Sequence, residues 1–151
     1  MEQKYLEILK KLQSASEFLE DFSIRELRRF LKLVQPKPYD SGARIFEKGE
    51  TTSCLYLIVT GRVEIYVPDL SGHNMYKTLA ELAPGDVFGE MGLALSRTRT
   101  ASAKSRTDVV LFVISERLFD EDPAMMCKIW KNMTRILAKR LEEANRKHAG
   151  F

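Results

Sequence analysis

Apolar residues recur at helical spacing at both ends of the chain and at strand spacing in the middle. Tyr5, Leu6, Ile8, Leu9 and Leu12 fall on one side of a helix, with Lys4, Glu7, Lys10 and Lys11 largely opposite. Ser23-Ile24-Arg25-Glu26 has the spacing of a capping box, and Leu27, Phe30, Leu31 and Val34 continue it as an apolar stripe. This second helix must stop before Pro36, because Pro36 and Pro38 favour extended backbone in the residues before them. The helix-to-sheet boundary is therefore expected near Gln35.

From Tyr39 to Ile114 short apolar runs alternate with turn residues, the rhythm of an antiparallel sandwich or barrel. The turns are expected at Asp40-Ser41-Gly42, Lys48-Gly49-Glu50, Thr60-Gly61, Ser71-Gly72-His73-Asn74 and Pro84-Gly85-Asp86. Val63, Ile65 and Val67 alternate with Glu64 and Tyr66, which points the valines and isoleucine inward and the other two outward. Met75 to Leu82 and Asp108 to Ile114 read as further strands, with Val110, Phe112 and Ile114 on one face. After Ile114 the helical period returns. Ser115 is placed to cap a short helix holding Leu118 and Phe119, and Asp122-Pro123 is a strong start signal for a long one. No glycine or proline interrupts Ala124 to Ala149, where Met126, Ile129, Trp130, Met133, Ile136, Leu137 and Leu141 form a stripe that needs a partner surface. A helix of this length is expected to outrun its own sheet, leaving Ile129, Met133, Ile136 and Leu137 to meet a second copy.

Composition narrows the functional classes. A chain of 151 residues with 44% apolar residues suits one domain with a real core. Charged residues make up 30%, yet the net charge is only +3, so no polybasic surface for nucleic acid is implied. No apolar stretch approaches membrane-spanning length and no secretory leader is visible, which gives a cytoplasmic protein with no membrane partner as the expectation. Cys54 and Cys127 stand far apart and are expected as buried or partly buried thiols, while His73 and His148 stand alone. No metal cluster, catalytic triad or cofactor site can be assembled from them, and no enzyme chemistry is expected.

The candidate chemistry lies in residues 88–103, between two strand-like runs. Gly89 and Gly92 flank a short helix-capable stretch, Met91 to Leu95, whose first backbone N–H groups could face an anion. Arg99 would add a cationic fork for paired phosphate oxygens, with Arg97 as an alternative cation two positions away. Spacing favours Arg99, and neither arginine is placed in the apolar alternation. Glu90 would repel a phosphate, so it makes sense as an acceptor for a sugar hydroxyl. The implied ligand carries both phosphate and sugar.

Gly89-Glu90 followed nine positions after the glutamate by Arg99-Thr100-Ala101 resembles the phosphate-binding cassette of the cyclic nucleotide-binding domain family. Phe46-Glu47-Lys48-Gly49-Glu50, the run Leu57 to Glu64, and Pro84-Gly85-Asp86-Val87-Phe88 resemble turn and strand signatures of the same β-roll, in the same order. The resemblance implies one α+β domain over 1–151: N-terminal helices in 1–35, an antiparallel, jelly-roll-like β-roll of about eight strands in 39–114, and C-terminal helices in 115–149. It implies Glu90 on the ribose 2′-hydroxyl, Arg99 on the cyclic phosphate, backbone amides of Gly89, Met91, Gly92, Leu93 and Ala94 around it, and Thr100 and Ala101 as neighbours. In the catabolite-activator branch the long helix is the dimer seam. Aligned on Ala138 to Leu141, Arg140 falls beside the ribose-binding glutamate, and Asn145 keeps a polar side chain where that branch contacts the base. Arg140 and Asn145 are therefore expected to form a lid.

Three functions compete at this stage. The first is a sensor module for a cyclic mononucleotide, cAMP or cGMP, that signals through its C-terminal helix as a homodimer or to an effector protein. Thr100 tilts slightly toward cGMP, with cAMP the nominal first choice. The second is the same fold acting structurally without nucleotide, since Thr98 and Ala103 stand where many members have Pro and Val. A transcription factor, the third, would need a reading helix and a basic face, and neither is visible.

Overall fold

Helices form at both ends of the chain, where the apolar period is helical, and strands in the middle, where turn residues punctuate shorter runs. The computed structural model describes residues 2–51, 54–90 and 98–149. Helix α1 spans Glu2–Leu12 and α2 spans Ile24–Leu33. The Ser23 hydroxyl accepts from the Glu26 N–H at 3.1 Å and the Glu26 carboxylate accepts from the Ser23 N–H at 3.0 Å, so the expected capping box is present. Strands follow as β1 Gln35–Tyr39, β2 Arg44–Phe46, β3 Cys54–Thr60, β4 Val63–Pro68, β5 Tyr76–Leu82, β6 Val87–Phe88, β7 Ser102–Ser105 and β8 Val109–Ser115. The short α3, Arg117–Glu121, and the long α4, Pro123–Ala149, close the described chain.

The strands form two four-stranded sheets in the orders β1-β8-β3-β6 and β2-β7-β4-β5, with every pairing antiparallel. This is the expected α+β architecture of a β-roll with helices at both ends. Pro36 and Pro38 sit on β1, an edge strand, where a missing N–H costs the ladder little.

The central strands of the first sheet, β3 and β8, are buried on both faces. Leu55, Leu57 and Val59 of β3, with Phe112 and Ile114 of β8, pack into the cluster that holds α1, α2 and α4. The alternate residues Tyr56, Ile58, Val109 and Leu111 face the roll interior with Phe46, Val63, Phe88 and Ala103. Two-residue periodicity thus sends one strand's side chains into two different cores. Val110, Phe112 and Ile114 share a face as expected.

Helix α4 is held by its N-cap and by the N-terminal segment. The Asp122 carboxylate accepts from the Met125 N–H at 3.0 Å, the capping role its sequence predicts. Asn132, 1% exposed, donates to the carbonyls of Phe18 and Glu20 at 2.9 and 3.0 Å. Lys128–Glu26 and Arg135–Glu20 ion pairs flank it at 2.8 and 2.5 Å.

Several expectations are corrected. Ile129, Met133 and Ile136 are buried in this chain's own core against α1, α2 and β3, so they are not free to form a dimer seam. The helix does outrun the body, but only from Ala138, beyond which its side chains are exposed through His148. Glu64 is not a solvated outward residue: it is 1% exposed beneath Thr78, Lys104 and Arg106. Burial opposes its ionisation, but hydrogen bonds from Thr78 and Arg106 and the nearby Lys104 charge hold its carboxyl below the usual range. The register shift opposite Ile65 and Tyr66 places its extra residue, Leu79, on β5, and Val67 beyond it is half-buried. Glu116, not Ser115, occupies the N-cap of α3, without a side-chain bond, and Cys127 is exposed. Among the described residues no helix is long and apolar enough to cross a membrane.

Candidate nucleotide-binding site

The site is built where β6 ends and β7 begins, against the inner face of β4 and β5. Gly89 follows β6 with φ +84°, a left-handed conformation that favours glycine. On the other side, Arg99 is fixed by its main chain: its N–H donates to the Glu50 carbonyl at 2.7 Å and its carbonyl accepts from the Gly49 N–H at 2.9 Å. The Lys48-Gly49-Glu50 turn therefore positions Arg99, and a bridge between Thr51 and Thr98 extends that pairing.

These segments enclose a cavity of about 280 Å³. Its apolar wall comes from Phe46, Ile65, Ala80, Leu82, Val87 and Phe88, and its polar groups are Glu90, Arg99, Thr100 and Arg140, with Gly89 and Ala101 completing the lining. A mostly apolar wall with a few convergent polar groups is the usual make-up of a small-molecule site.

Arg99 is the unusual member. It is 3% exposed, although no apolar alternation places it inside. Its Nη1 donates to the Gly89 carbonyl at 2.6 Å and its Nη2 to the Cys54 carbonyl at 2.9 Å, while its Nε is buried without a hydrogen-bond partner. Among the described residues no carboxylate pairs with it. The guanidinium carbon lies 4.3 Å from the ring centroid of Phe46 and 5.7 Å from that of Tyr56. A desolvated cation without a counter-ion and with one orphaned N–H is costly, and an anion accepting from it would remove that cost.

Glu90 sits at the opposite end of the polar set and reaches α4. The Arg140 guanidinium pairs with its carboxylate at 2.7 Å and also donates to the Val87 carbonyl at 3.0 Å. One half-exposed arginine thus ties the long helix to the cavity rim. Asn145 does not join it, being exposed on α4 and outside the cavity lining. Thr100 is exposed at the cavity edge and Ala101 is half-buried. Met91, Gly92, Leu93, Ala94 and Arg97 lie outside the described residues.

Sequence reasoning missed the groups that hold Arg99. The Cys54 and Gly89 carbonyls carry no side-chain signal, and nothing in the sequence marks Phe46 or Tyr56 as partners of a cation. Burial pushes the Cys54 thiol up despite the nearby Arg99 and Lys37 charges, so Cys54 serves the site through its backbone. Burial likewise pushes Tyr56 up to about 12. Among the described residues no group of three or more His, Cys, Asp or Glu gathers as a metal site.

Comparison with known proteins gives a consistent picture. The family model described as "Cyclic nucleotide-binding domain" matches residues 36–121. The "Cyclic AMP receptor protein" of Thermus thermophilus is 35% identical over 119 residues, 76% of this chain and 52% of that protein. "Glutaminase 1" of Bradyrhizobium diazoefficiens is 32% identical over 133 residues, 85% of this chain but 21% of that protein. In three dimensions the Thermus thermophilus catabolite activator protein superposes with a TM-score of 0.79 at 29% identity, covering 89% of this chain and 62% of that one. The chain spans about half the length of the first of these relatives and about a fifth of the second.

Proposed function

The chain belongs to the cyclic nucleotide-binding domain family, and from that footing we propose that it is a sensor module for a cyclic mononucleotide, with cAMP ahead of cGMP. The observation that carries this reading is Arg99, a buried guanidinium with an orphaned Nε–H lining the cavity. A cyclic phosphate supplies the missing acceptor and the missing charge together. The ribose 2′-hydroxyl donates to Glu90, which already points into the same cavity, and the base lies along the apolar wall of Ile65, Ala80 and Leu82. The similarity to the Thermus thermophilus cyclic AMP receptor protein supports cAMP as the first ligand to test.

Occupancy is read out through α4. A ribose hydroxyl at Glu90 competes with Arg140 for the same carboxylate, so ligand and helix position are coupled by differential contact. The exposed continuation of α4 presents Leu141 and Ala144 beside the half-buried Leu137, at spacings of four and three, and Leu141 is 62% exposed. This shorter stripe, rather than the buried Ile129 and Met133, is the face we assign to a homodimer or an effector. Asn145 lies close beyond it and closes on the base only if the helix moves. The module acts in the cytoplasm and by binding rather than catalysis.

The test is calorimetric titration of cAMP, cGMP and 2′-deoxy-cAMP in parallel. Tight binding of a ribose form with clear loss in the deoxy form is expected. Equal binding of ribose and deoxy forms would remove Glu90 from the assignment. A second reading, the fold used structurally without nucleotide, is favoured by one observation: Glu90 and two of the Arg99 nitrogens already have internal partners. Absence of binding for all three nucleotides would select it.

A further inference from the structure

We propose that Phe46 is a positioning residue for Arg99, holding the guanidinium by its ring face where a carboxylate would otherwise be needed. The inference rests on the cyclic nucleotide reading of the cavity but concerns how this chain keeps its phosphate-facing cation available. A buried arginine is ordinarily held by an acid, and an acid would already have neutralised the charge that an anionic ligand needs. An aromatic face attracts a cation through its quadrupole and carries no net charge, so the attraction does not consume the site.

The geometry fits that division of labour. The guanidinium carbon stands 4.3 Å from the Phe46 centroid, well inside cation–π range, while Tyr56 at 5.7 Å lies at its margin. Phe46 is fixed rather than adaptable. It is 5% exposed, pairs with Ala103 across β2 and β7, and packs against the rings of Tyr56 and Phe88 at 6.0 and 5.9 Å. The turn that follows Phe46 also binds the Arg99 main chain through Gly49 and Glu50. One short segment, 46–50, therefore sets both the backbone and the charged head of Arg99. Leucine at 46 would fill much of the same volume but offer no quadrupole, whereas tyrosine would keep the ring.

The experiment compares the wild-type chain with Phe46→Leu and Phe46→Tyr in two readouts, with Phe46→Met replacing the leucine variant should the latter not fold. In the protein without ligand, the Arg99 Nε–H resonance is followed by ¹⁵N NMR and assigned by its loss in Arg99→Lys. A ring above the guanidinium is expected to move this signal upfield in the wild type and in Phe46→Tyr, and not in Phe46→Leu. In titration with cAMP, Phe46→Leu is expected to weaken binding about tenfold, and Phe46→Tyr by less than about threefold. The proposal is overturned if Phe46→Leu leaves the resonance or the affinity unchanged. It is equally overturned if Phe46→Tyr is as impaired as Phe46→Leu, because size alone would then explain the effect. A wild type that shows the NMR pattern but binds neither cAMP nor cGMP defeats the functional reading and leaves the assignment of Phe46 standing.

Discussion

The Gly89 carbonyl accepts from Arg99 Nη1 at 2.6 Å, and a Cβ on residue 89 would lie 2.7 Å from that same nitrogen. The two residues are therefore matched: the arginine can lie this deep only because residue 89 has no side chain. Gly89→Ala is expected to force the guanidinium out, as well as strain a backbone at φ +84°. We expect cAMP binding to weaken by at least about tenfold and stability to fall by about 1–3 kcal/mol, the usual range for such strain. Titration and denaturant unfolding of the same preparation check both.

Arg99 itself should show a trade between stability and binding. A buried cation without a counter-ion is costly, and an apolar residue of similar length removes that cost while still touching Phe46 and Tyr56. Arg99→Met is expected to melt at or above the wild-type temperature without ligand and to bind cAMP at least about a hundredfold more weakly. A much lower melting temperature would mean that the bonds to the Gly89 and Cys54 carbonyls outweigh the desolvation of the charge.

The Glu90–Arg140 pair separates binding from readout. It is half-exposed on the arginine side, so its loss should cost less than about 1 kcal/mol of stability. Arg140→Ala is expected to keep cAMP affinity within about threefold of wild type, because Glu90 is freed for the ribose. The same variant should lose the ligand-dependent change in hydrogen exchange over 138–148. An unchanged exchange response would place the coupling elsewhere.

Acid should loosen the seat of α4. The Asp122 carboxyl is held below its ordinary range by the Met125 N–H and then by Arg29, and Glu26 by Lys128 and then by the Ser23 N–H. Both groups bind protons more weakly when folded, so their stabilisation is complete above the ordinary carboxylate range and is lost as pH falls through the folded values. The melting temperature should fall from about pH 5 downward. Asp122→Ala should cost about 1 kcal/mol near neutral pH and progressively less in acid. A constant difference across that range would show that Asp122 acts by packing alone.

Much of this was legible because period and punctuation agree. The capping box at Ser23, the prolines of β1, the even-numbered face of β8 and the Asp122 cap all follow from local chemistry that tertiary packing did not overrule. Glu90 and Arg99 were legible as a spaced pair. What escaped depends on neighbours remote in sequence. Glu64 is covered by residues from β5 and β7, and Arg99 is sunk by an aromatic pair and by two backbone carbonyls. The stripe on α4 gave the right face and the wrong partner, since a period shows that Ile129 and Met133 must be covered but not by which surface.

Asn132 gives the long helix a pivot. From that residue to Ala149 there are 17 steps of helix, about 26 Å at 1.5 Å each, and from Ala138 through His148 the side chains are exposed. The arm is guyed to the N-terminal segment by Lys139 on Glu17 and to the roll by Arg140 on Glu90 and the Val87 carbonyl. Slackening the second guy and tilting the arm by about 10° would carry its tip about 4.5 Å, a displacement near one helical turn. Arg140 stands eight steps from the pivot, so the same tilt moves it by about 2 Å, and a displacement at the cavity rim is roughly doubled at the tip of the arm.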